Sequence, residues 1–128
     1  MNPLADWHRS GGVVAYGTDA PVTPLAGWAM VADAVRHSRR DQRVGVGEAF
    51  AAATRGGHLA AGDTDAGLLV PGQRAHLALW DVEPGSAEET SGLPDLTAGA
   101  PFPGCAGLLV EGRVVHDPAG LFPVSDRP

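Results

Sequence analysis

A short apolar run that ends in an aspartate is the feature that most constrains the fold of this chain. Residues 13–18 are small, β-branched or aromatic, and Asp19 follows them directly. This pattern is typical of a buried parallel strand that presents a carboxylate at its C-terminal end, as at the mouth of an α/β barrel. Such a strand needs strands beside it. Residues 1–62 contain no second run of this type, so the sequence predicts an incomplete barrel segment.

Helices are predicted on both sides of this strand. A short helix is predicted over residues 3–10. The next helix begins at Thr23-Pro24, with Thr23 as the N-cap and Pro24 at the first helical position. A third helix covers residues 46–55 and is ended by Gly56-Gly57. The apolar face of the helix after Pro24 is formed, at helical spacing, by Trp28, Val31, Ala32 and Val35.

The second half of the chain, from residue 63, has the pattern of strands and turns. Residues 67–70 are predicted to form a strand that enters a tight turn at Pro71-Gly72. Residues 75–81 are predicted to form another strand. The chain therefore divides near residue 62 into a helical part and a β part.

A long surface loop and a hairpin are predicted after the second strand. In residues 83–104, prolines and glycines are interspersed with small polar residues, which is typical of an irregular loop. Residues 108–110 and 113–116 flank Glu111-Gly112, which predicts a hairpin with its turn at those two residues.

Charge and composition exclude several classes of function. The chain has 15 acidic and 9 basic residues and a net charge of −6, so it is a poor candidate for binding nucleic acid. Its basic run, residues 36–40, is predicted to be a solvated helix end. The single cysteine, Cys105, excludes an internal disulfide, and no apolar run approaches the ~20 residues of a membrane helix. The sequence predicts a soluble, cytoplasmic protein without nucleic-acid or membrane partners.

Four motifs together resemble the C-terminal end of the amidohydrolase superfamily. In this order and spacing they are most similar to its branch of predicted metal-dependent amidohydrolases called the amidohydrolase-3, or YtcJ-like, family. The resemblance covers about residues 4–117, with a histidine and a tryptophan, His76 and Trp80, at positions where the family usually has Asp and an aliphatic residue. The motifs are Gly17-Thr18-Asp19-Ala20-Pro21-Val22; Glu48-Ala49-Phe50 with Thr54-Arg55-Gly56-Gly57; Gly67-Leu68-Leu69-Val70-Pro71-Gly72 with Ala75 and Asp81; and residues 110–117.

The resemblance implies a fold of the α/β plus β class. Residues 1–62 would be the last βα portion of a TIM-type (β/α)8 barrel, namely strand eight and the helices after it. Residues 63–128 would supply C-terminal strands of the composite β-sandwich of this superfamily. Both parts would be incomplete as free domains, because the earlier barrel strands have no counterpart in the sequence.

The resemblance also implies hydrolysis of a carbon–nitrogen bond other than a peptide bond, in a small amide-type substrate. In the family, the aspartate that matches Asp19 ligates a divalent metal, expected to be zinc, or accepts a proton from metal-bound water. Asp19 is therefore the predicted catalytic and metal-binding residue. On the residues alone, the alternative is an aspartate that caps the turn at Ala20-Pro21.

The other site residues of the family are missing from the sequence. The family uses a His-x-His pair and further histidines on earlier strands. The chain alone is therefore expected to be inactive and not to retain metal, unless a missing N-terminal barrel half is supplied by a second chain or an upstream reading frame. The alternative is a non-catalytic relic or a small interaction module built on residues 63–117. None of the five histidines is predicted to be catalytic, and no two form a His-x-His pair: His8, His37, His58, His76 and His116.

Overall fold

The structure, a computed structural model, describes residues 2–82, 92–96, 99 and 101–123. The loop predicted for residues 83–104 lies largely outside the described residues. The helices are α1 (Leu4–Arg9), α2 (Gly27–Val35), a 3-10 helix (Arg40–Gln42), α3 (Val46–Ala53) and α4 (Arg55–Ala60), and the strands are β1 (Leu77–Asp81), β2 (Gly104–Val110) and β3 (Arg113–His116).

The core lies where α2 packs against α3. The predicted apolar face of α2 is confirmed, since its residues at helical spacing are all buried. Trp28 of α2 stacks on Phe50 of α3, with ring centroids 5.5 Å apart. Ala49 of α3 is fully buried, and a small side chain at such a position lets packed helices approach closely. The periodicity of the sequence therefore predicts correctly which face of α2 is buried.

A buried glutamine connects the 3-10 helix to α1. Gln42 is only 2% exposed. Its Nε2 donates to Asp6 Oδ2 at 3.1 Å and to Asp41 Oδ2 at 3.2 Å, and its Oε1 accepts from the Asp6 amide at 3.4 Å. A buried amide needs partners for both its donors and its acceptor, and Gln42 has both.

The start of α2 differs from the sequence prediction. The helix begins at Gly27 rather than at Thr23-Pro24. Thr23 does not act as its N-cap, because its hydroxyl donates instead to the Thr18 carbonyl. Residues 18–23 therefore close a turn before the helix starts, and Ala26 takes the N-cap position.

The predicted third helix is divided into two helices. Thr54 has φ −114° and ψ −88°, outside the helical region, and its hydroxyl donates to the Phe50 carbonyl at 2.8 Å. Gly56-Gly57, predicted to end the helix, lie instead in the first turn of α4. The helix is therefore interrupted at Thr54 and not at Gly56-Gly57.

The basic run at residues 36–40 is only partly the solvated helix end that was predicted. Arg39 is exposed, but Arg36 is half-buried. The Nε of Arg36 donates to the Leu96 carbonyl, and its guanidinium lies 5.8 Å from the centroid of the Phe102 ring. This arginine connects α2 to residues that precede β2 in the chain.

Residues 13–18 form no strand, contrary to the prediction. Among the described residues, the segment makes one backbone-to-backbone hydrogen bond, from Tyr16 N to the Ala52 carbonyl at 3.1 Å. A strand requires a neighbouring strand to pair with, and the described residues place none beside this segment. The segment packs instead against α4, where the Val14 carbonyl lies over Gly56.

We expect Gly56→Ala to lower the free energy of unfolding by about 1–3 kcal/mol, because the new Cβ would overlap the Val14 carbonyl. Gly57→Ala is the matched control in the same helical turn. A Cβ at that position meets no atom within 4 Å, so this change should be neutral or stabilise by about 0.5–1 kcal/mol. Urea unfolding of both variants tests the contact, and equal stabilities would contradict it.

The three strands form one antiparallel sheet in the order β1-β2-β3. Leu77 pairs with Leu109 across β1 and β2. The hairpin predicted for residues 108–116 is confirmed, with its turn at Glu111-Gly112, where both residues have positive φ. The strand predicted for residues 75–81 is confirmed as β1.

The strand predicted for residues 67–70 is absent. Gly67 has φ +85°, and a Cβ there would lie 2.8 Å from the Arg55 Cα, so the chain turns tightly against α4. The turn predicted at Pro71-Gly72 is confirmed, because Gln73 N donates to the Val70 carbonyl at 3.3 Å. The apolar residues Leu68, Leu69 and Val70 do not join the sheet and are exposed.

Candidate functional site

A groove of about 800 Å³ runs between α1, residues 14–19 and α2. Its volume lies within the range of small-molecule sites. Asp19 and Tyr16 line it from the extended segment, and Asp33 lines it from α2. Asp19, the predicted catalytic residue, is therefore one of the side chains that line this groove.

The Asp19 side chain makes no hydrogen bond to the turn that follows it. Its backbone has φ +56°, a left-handed conformation that aspartate tolerates better than most residues. The Asp19 carbonyl accepts hydrogen bonds from Val22 N at 2.9 Å and Thr23 N at 3.4 Å. Within the described part of the chain, its exposed carboxylate has no hydrogen-bond partner. The backbone carbonyl of Asp19 therefore closes this turn. In the alternative predicted from the residues alone, the Asp19 carboxylate would have capped the turn instead.

Tyr16, which lines the groove, is hydrogen-bonded to His8 of α1. The Tyr16 hydroxyl is 2.7 Å from His8 Nε2, and the two rings meet edge to face at 5.8 Å. Burial, reinforced by the negative charge of Glu48, raises the pKa of Tyr16 above its ordinary value. The phenol therefore keeps its proton at neutral pH, and its hydroxyl shares a hydrogen bond with the His8 imidazole.

Two polar groove residues were missed in the sequence. Asp33 lies on the exposed face of α2, one turn after Ala29, which also lines the groove. His37 follows the end of the helix and lines the same groove. The helical spacing of Ala29 and Asp33 is the signal that places both on one face.

The described residues do not fit a complete metal centre. A catalytic zinc is usually held by three protein ligands. In the described ranges, no group of three or more His, Cys, Asp or Glu side chains is placed to hold a metal ion. Asp19 supplies one carboxylate, and within the described residues no hydrogen bond or ion pair joins it to an imidazole.

A second polar cluster lies at the end of α4. Asp63 accepts from the Asp65 amide at 3.0 Å and lies 3.2 Å from His58 Nδ1, and Arg74 pairs with the same carboxylate. These contacts, the Asp65 amide foremost, hold the pKa of Asp63 below its ordinary value. His76, predicted to lie in a strand, precedes β1 instead, and its ring stacks on His58 with centroids 5.9 Å apart.

We expect Asp63→Asn to flatten the loss of stability in acid. A carboxyl whose folded-state pKa is lowered stabilises the fold above its unfolded pKa, and this contribution is lost as the pH falls through the folded pKa. Wild type should therefore lose stability more steeply than the variant below about pH 4. Urea midpoints measured from pH 7 to pH 2 test this. Parallel profiles for the two proteins would contradict the stabilising role of Asp63.

A comparison with protein families gives the class of this chain. The model of the amidohydrolase family matches residues 1–116. The match includes the Asp19 segment, all of the helices and the three-stranded sheet. The chain therefore belongs to the amidohydrolase family. Searches of curated proteins and of solved structures gave no match.

None of the helices in the described ranges combines the length and the apolar composition that a membrane span requires.

Proposed function

We propose that this chain is the C-terminal portion of a metal-dependent amidohydrolase that cleaves a carbon–nitrogen bond other than a peptide bond. The observation that carries the proposal is the family match over residues 1–116. Residues 1–62 would complete a (β/α)8 barrel of the YtcJ-like branch, with residues 13–18 as strand eight. Residues 63–128 would belong to the composite β-sandwich.

Asp19 is the residue through which this chain would contribute to the reaction. Its carboxylate is exposed and has no hydrogen bond from the described residues, so its lone pairs are free for a metal or a water. We propose that it ligates a divalent metal, with zinc as the expected ion, or accepts a proton from the attacking water. The other ligands would come from outside the described residues.

The backbone of residues 13–18 supports the view that the site is shared. Most of its donors and acceptors have no partner in the described part of the chain. In the proposed barrel, parallel strands on either side would pair with them. These strands would come from a second polypeptide or an upstream reading frame. We therefore propose that the chain alone has no hydrolase activity and that the assembled enzyme acts in the cytoplasm, as expected for a chain with one cysteine.

Metal analysis of the purified chain tests the proposed incompleteness. After incubation with zinc and dialysis, we expect far less than one zinc ion per chain. Stoichiometric zinc in the wild type that is lost in Asp19→Asn would show that the chain holds a complete centre. The DNA upstream of the coding sequence gives an independent test. If neither it nor a neighbouring gene encodes a His-x-His pair followed by alternating strands and helices, the enzymatic proposal fails.

An interaction module built on residues 63–117 is the second candidate. All four residues of β3 are exposed, including the apolar side chains of Val114 and Val115. A free-standing module should survive limited proteolysis as a fragment that contains β1–β3. Rapid digestion of these strands in the isolated chain, with protection only in the presence of a barrel half, would favour the amidohydrolase proposal instead.

A further inference from the structure

Tyr16 anchors the segment that carries Asp19. Its backbone amide donates to the Ala52 carbonyl of α3 at 3.1 Å, and its hydroxyl lies 2.7 Å from His8 Nε2 of α1. The other residues of 13–17 make no hydrogen bond within the described part of the chain. Tyr16 is therefore the residue through which hydrogen bonds attach this segment to the helices.

The turn that holds Asp19 has no such attachment of its own. The Thr18 carbonyl accepts from the Thr23 hydroxyl, and the Asp19 carbonyl accepts from two later amides of the same turn. These bonds close the turn on itself and do not connect it to α1 or α3. A Cβ at Gly17, between Tyr16 and the turn, would meet no atom within 4 Å, so no packing restrains that residue. Tyr16 is therefore the nearest fixed point on the N-terminal side of Asp19.

The contact between Tyr16 and His8 is suited to hold the tyrosine ring in one place. Both residues are half-buried, and their rings meet edge to face at 5.8 Å, with an interplanar angle of 82°. Burial, reinforced by the negative charge of Glu48, raises the pKa of Tyr16, so the hydroxyl stays protonated at neutral pH. A hydroxyl both donates and accepts, so it can bond to the imidazole in either tautomer. The hydrogen bond therefore does not depend on which ring nitrogen of His8 carries the proton.

We propose that Tyr16, held by His8, is a positioning residue that fixes the place of the Asp19 carboxylate in the groove. The role rests on the proposed function, because the pair acts through Asp19 and does not have to contact the substrate. A displacement of about 1 Å in a reacting group can lower the rate about 100-fold. A catalytic carboxylate at an exposed turn therefore needs a fixed support, and Tyr16 supplies it from α1 and α3.

The backbone dynamics of the full chain, labelled with ¹⁵N, test this support without an activity assay. In the wild type, the Asp19 amide should have an order parameter of about 0.85, the value of rigid backbone. In Tyr16→Phe, which removes only the hydroxyl, it should fall below about 0.6, while the values in α3 are unchanged. His8→Phe should have the same effect and the double variant no further effect, because each change removes the same hydrogen bond. His8→Gln, whose amide can bond to the hydroxyl, should keep the wild-type value.

Ser10→Ala is the matched control, because it removes a different hydrogen bond at the end of α1, from the Ser10 hydroxyl to the Trp7 carbonyl. It should leave the order parameter of Asp19 unchanged. A mobile Asp19 amide in the wild type would overturn the proposal, whether or not the variants fold. So would equal order parameters in the wild type and Tyr16→Phe, an equal effect of Ser10→Ala, or a uniform loss of order throughout the chain.

Kinetics of the assembled enzyme distinguish this role from the proposed function itself. Tyr16→Phe should lower kcat about 10-fold and leave KM unchanged, because Asp19 is displaced while substrate binding is retained. Loss of activity in Asp19→Asn together with an unchanged kcat in Tyr16→Phe would overturn only the positioning role. Full activity in Asp19→Asn would overturn the proposed role of Asp19 and the positioning role with it.

Discussion

Gln42→Glu is expected to lower the free energy of unfolding by about 3 kcal/mol at pH 7. The substitution keeps the size of the side chain but replaces its N–H donors with carboxylate oxygens. At this position Nε2 donates to the carboxylates of Asp6 and Asp41, and the side chain is only 2% exposed. The new carboxylate would therefore be buried against two like charges and away from water, with the Asp6 amide as its remaining donor.

Gln42→Met is the matched control, because it has a similar volume and adds no charge. It should cost only the lost hydrogen bonds, about 1–3 kcal/mol. The additional deficit of Gln42→Glu should shrink as the pH is lowered towards about 4, where the introduced carboxyl takes up a proton and can donate to Asp6 or Asp41. Urea unfolding at both pH values measures this. A deficit for Gln42→Glu that equals that of Gln42→Met at pH 7 would contradict the buried amide network.

Helical periodicity predicted the core well because it reports a local property. The apolar face of α2 follows from the spacing of Trp28 and Val31, and it is buried in the structure. Gln42 was not predicted to be buried, since it lies in a polar run beside Asp41. Its burial depends on Asp6, 36 residues away in sequence, and no local pattern reports such a contact.

The two strand predictions that were wrong have a common cause. Residues 13–18 and residues 67–70 have the composition of strands, but a strand exists only when another segment pairs with it. Composition reports the tendency of a segment to pair and does not report whether a partner is present. The same limit applies to Gly56, which was predicted to end a helix. Its missing side chain instead lets the Val14 carbonyl approach α4.

The sequence identified Asp19 as the candidate site residue but not its surroundings. A carboxylate after an apolar run is visible as a motif, whereas the hydrogen bond between Tyr16 and His8 requires the chain to turn back over α1. The stacking of His58 on His76 likewise joins residues 18 positions apart through the turn at residues 67–72. These contacts arise from packing between segments, so spacing alone does not predict them.

Asp19→Asn is expected to reduce kcat by about 10²–10⁴-fold in the assembled enzyme, the usual contribution of a general base. The measurement uses this chain together with the polypeptide that supplies the remaining strands, assayed for amine release from non-peptide amides. The stability of the isolated chain should not change. Asparagine also tolerates the positive φ of Asp19, and the carboxylate makes no hydrogen bond within the described residues that its loss would break.

Two further substitutions distinguish the role of the Asp19 charge from the role of its backbone conformation. Asp19→Ala should lose activity to the same extent but also destabilise the chain by about 1 kcal/mol, because alanine adopts φ +56° less readily. Asp65→Asn removes another exposed carboxylate outside the groove and should retain activity. If Asp19→Asn keeps full activity while Asp19→Ala loses stability, the residue serves only the turn. The reaction would then need a base and metal ligands supplied entirely by other residues.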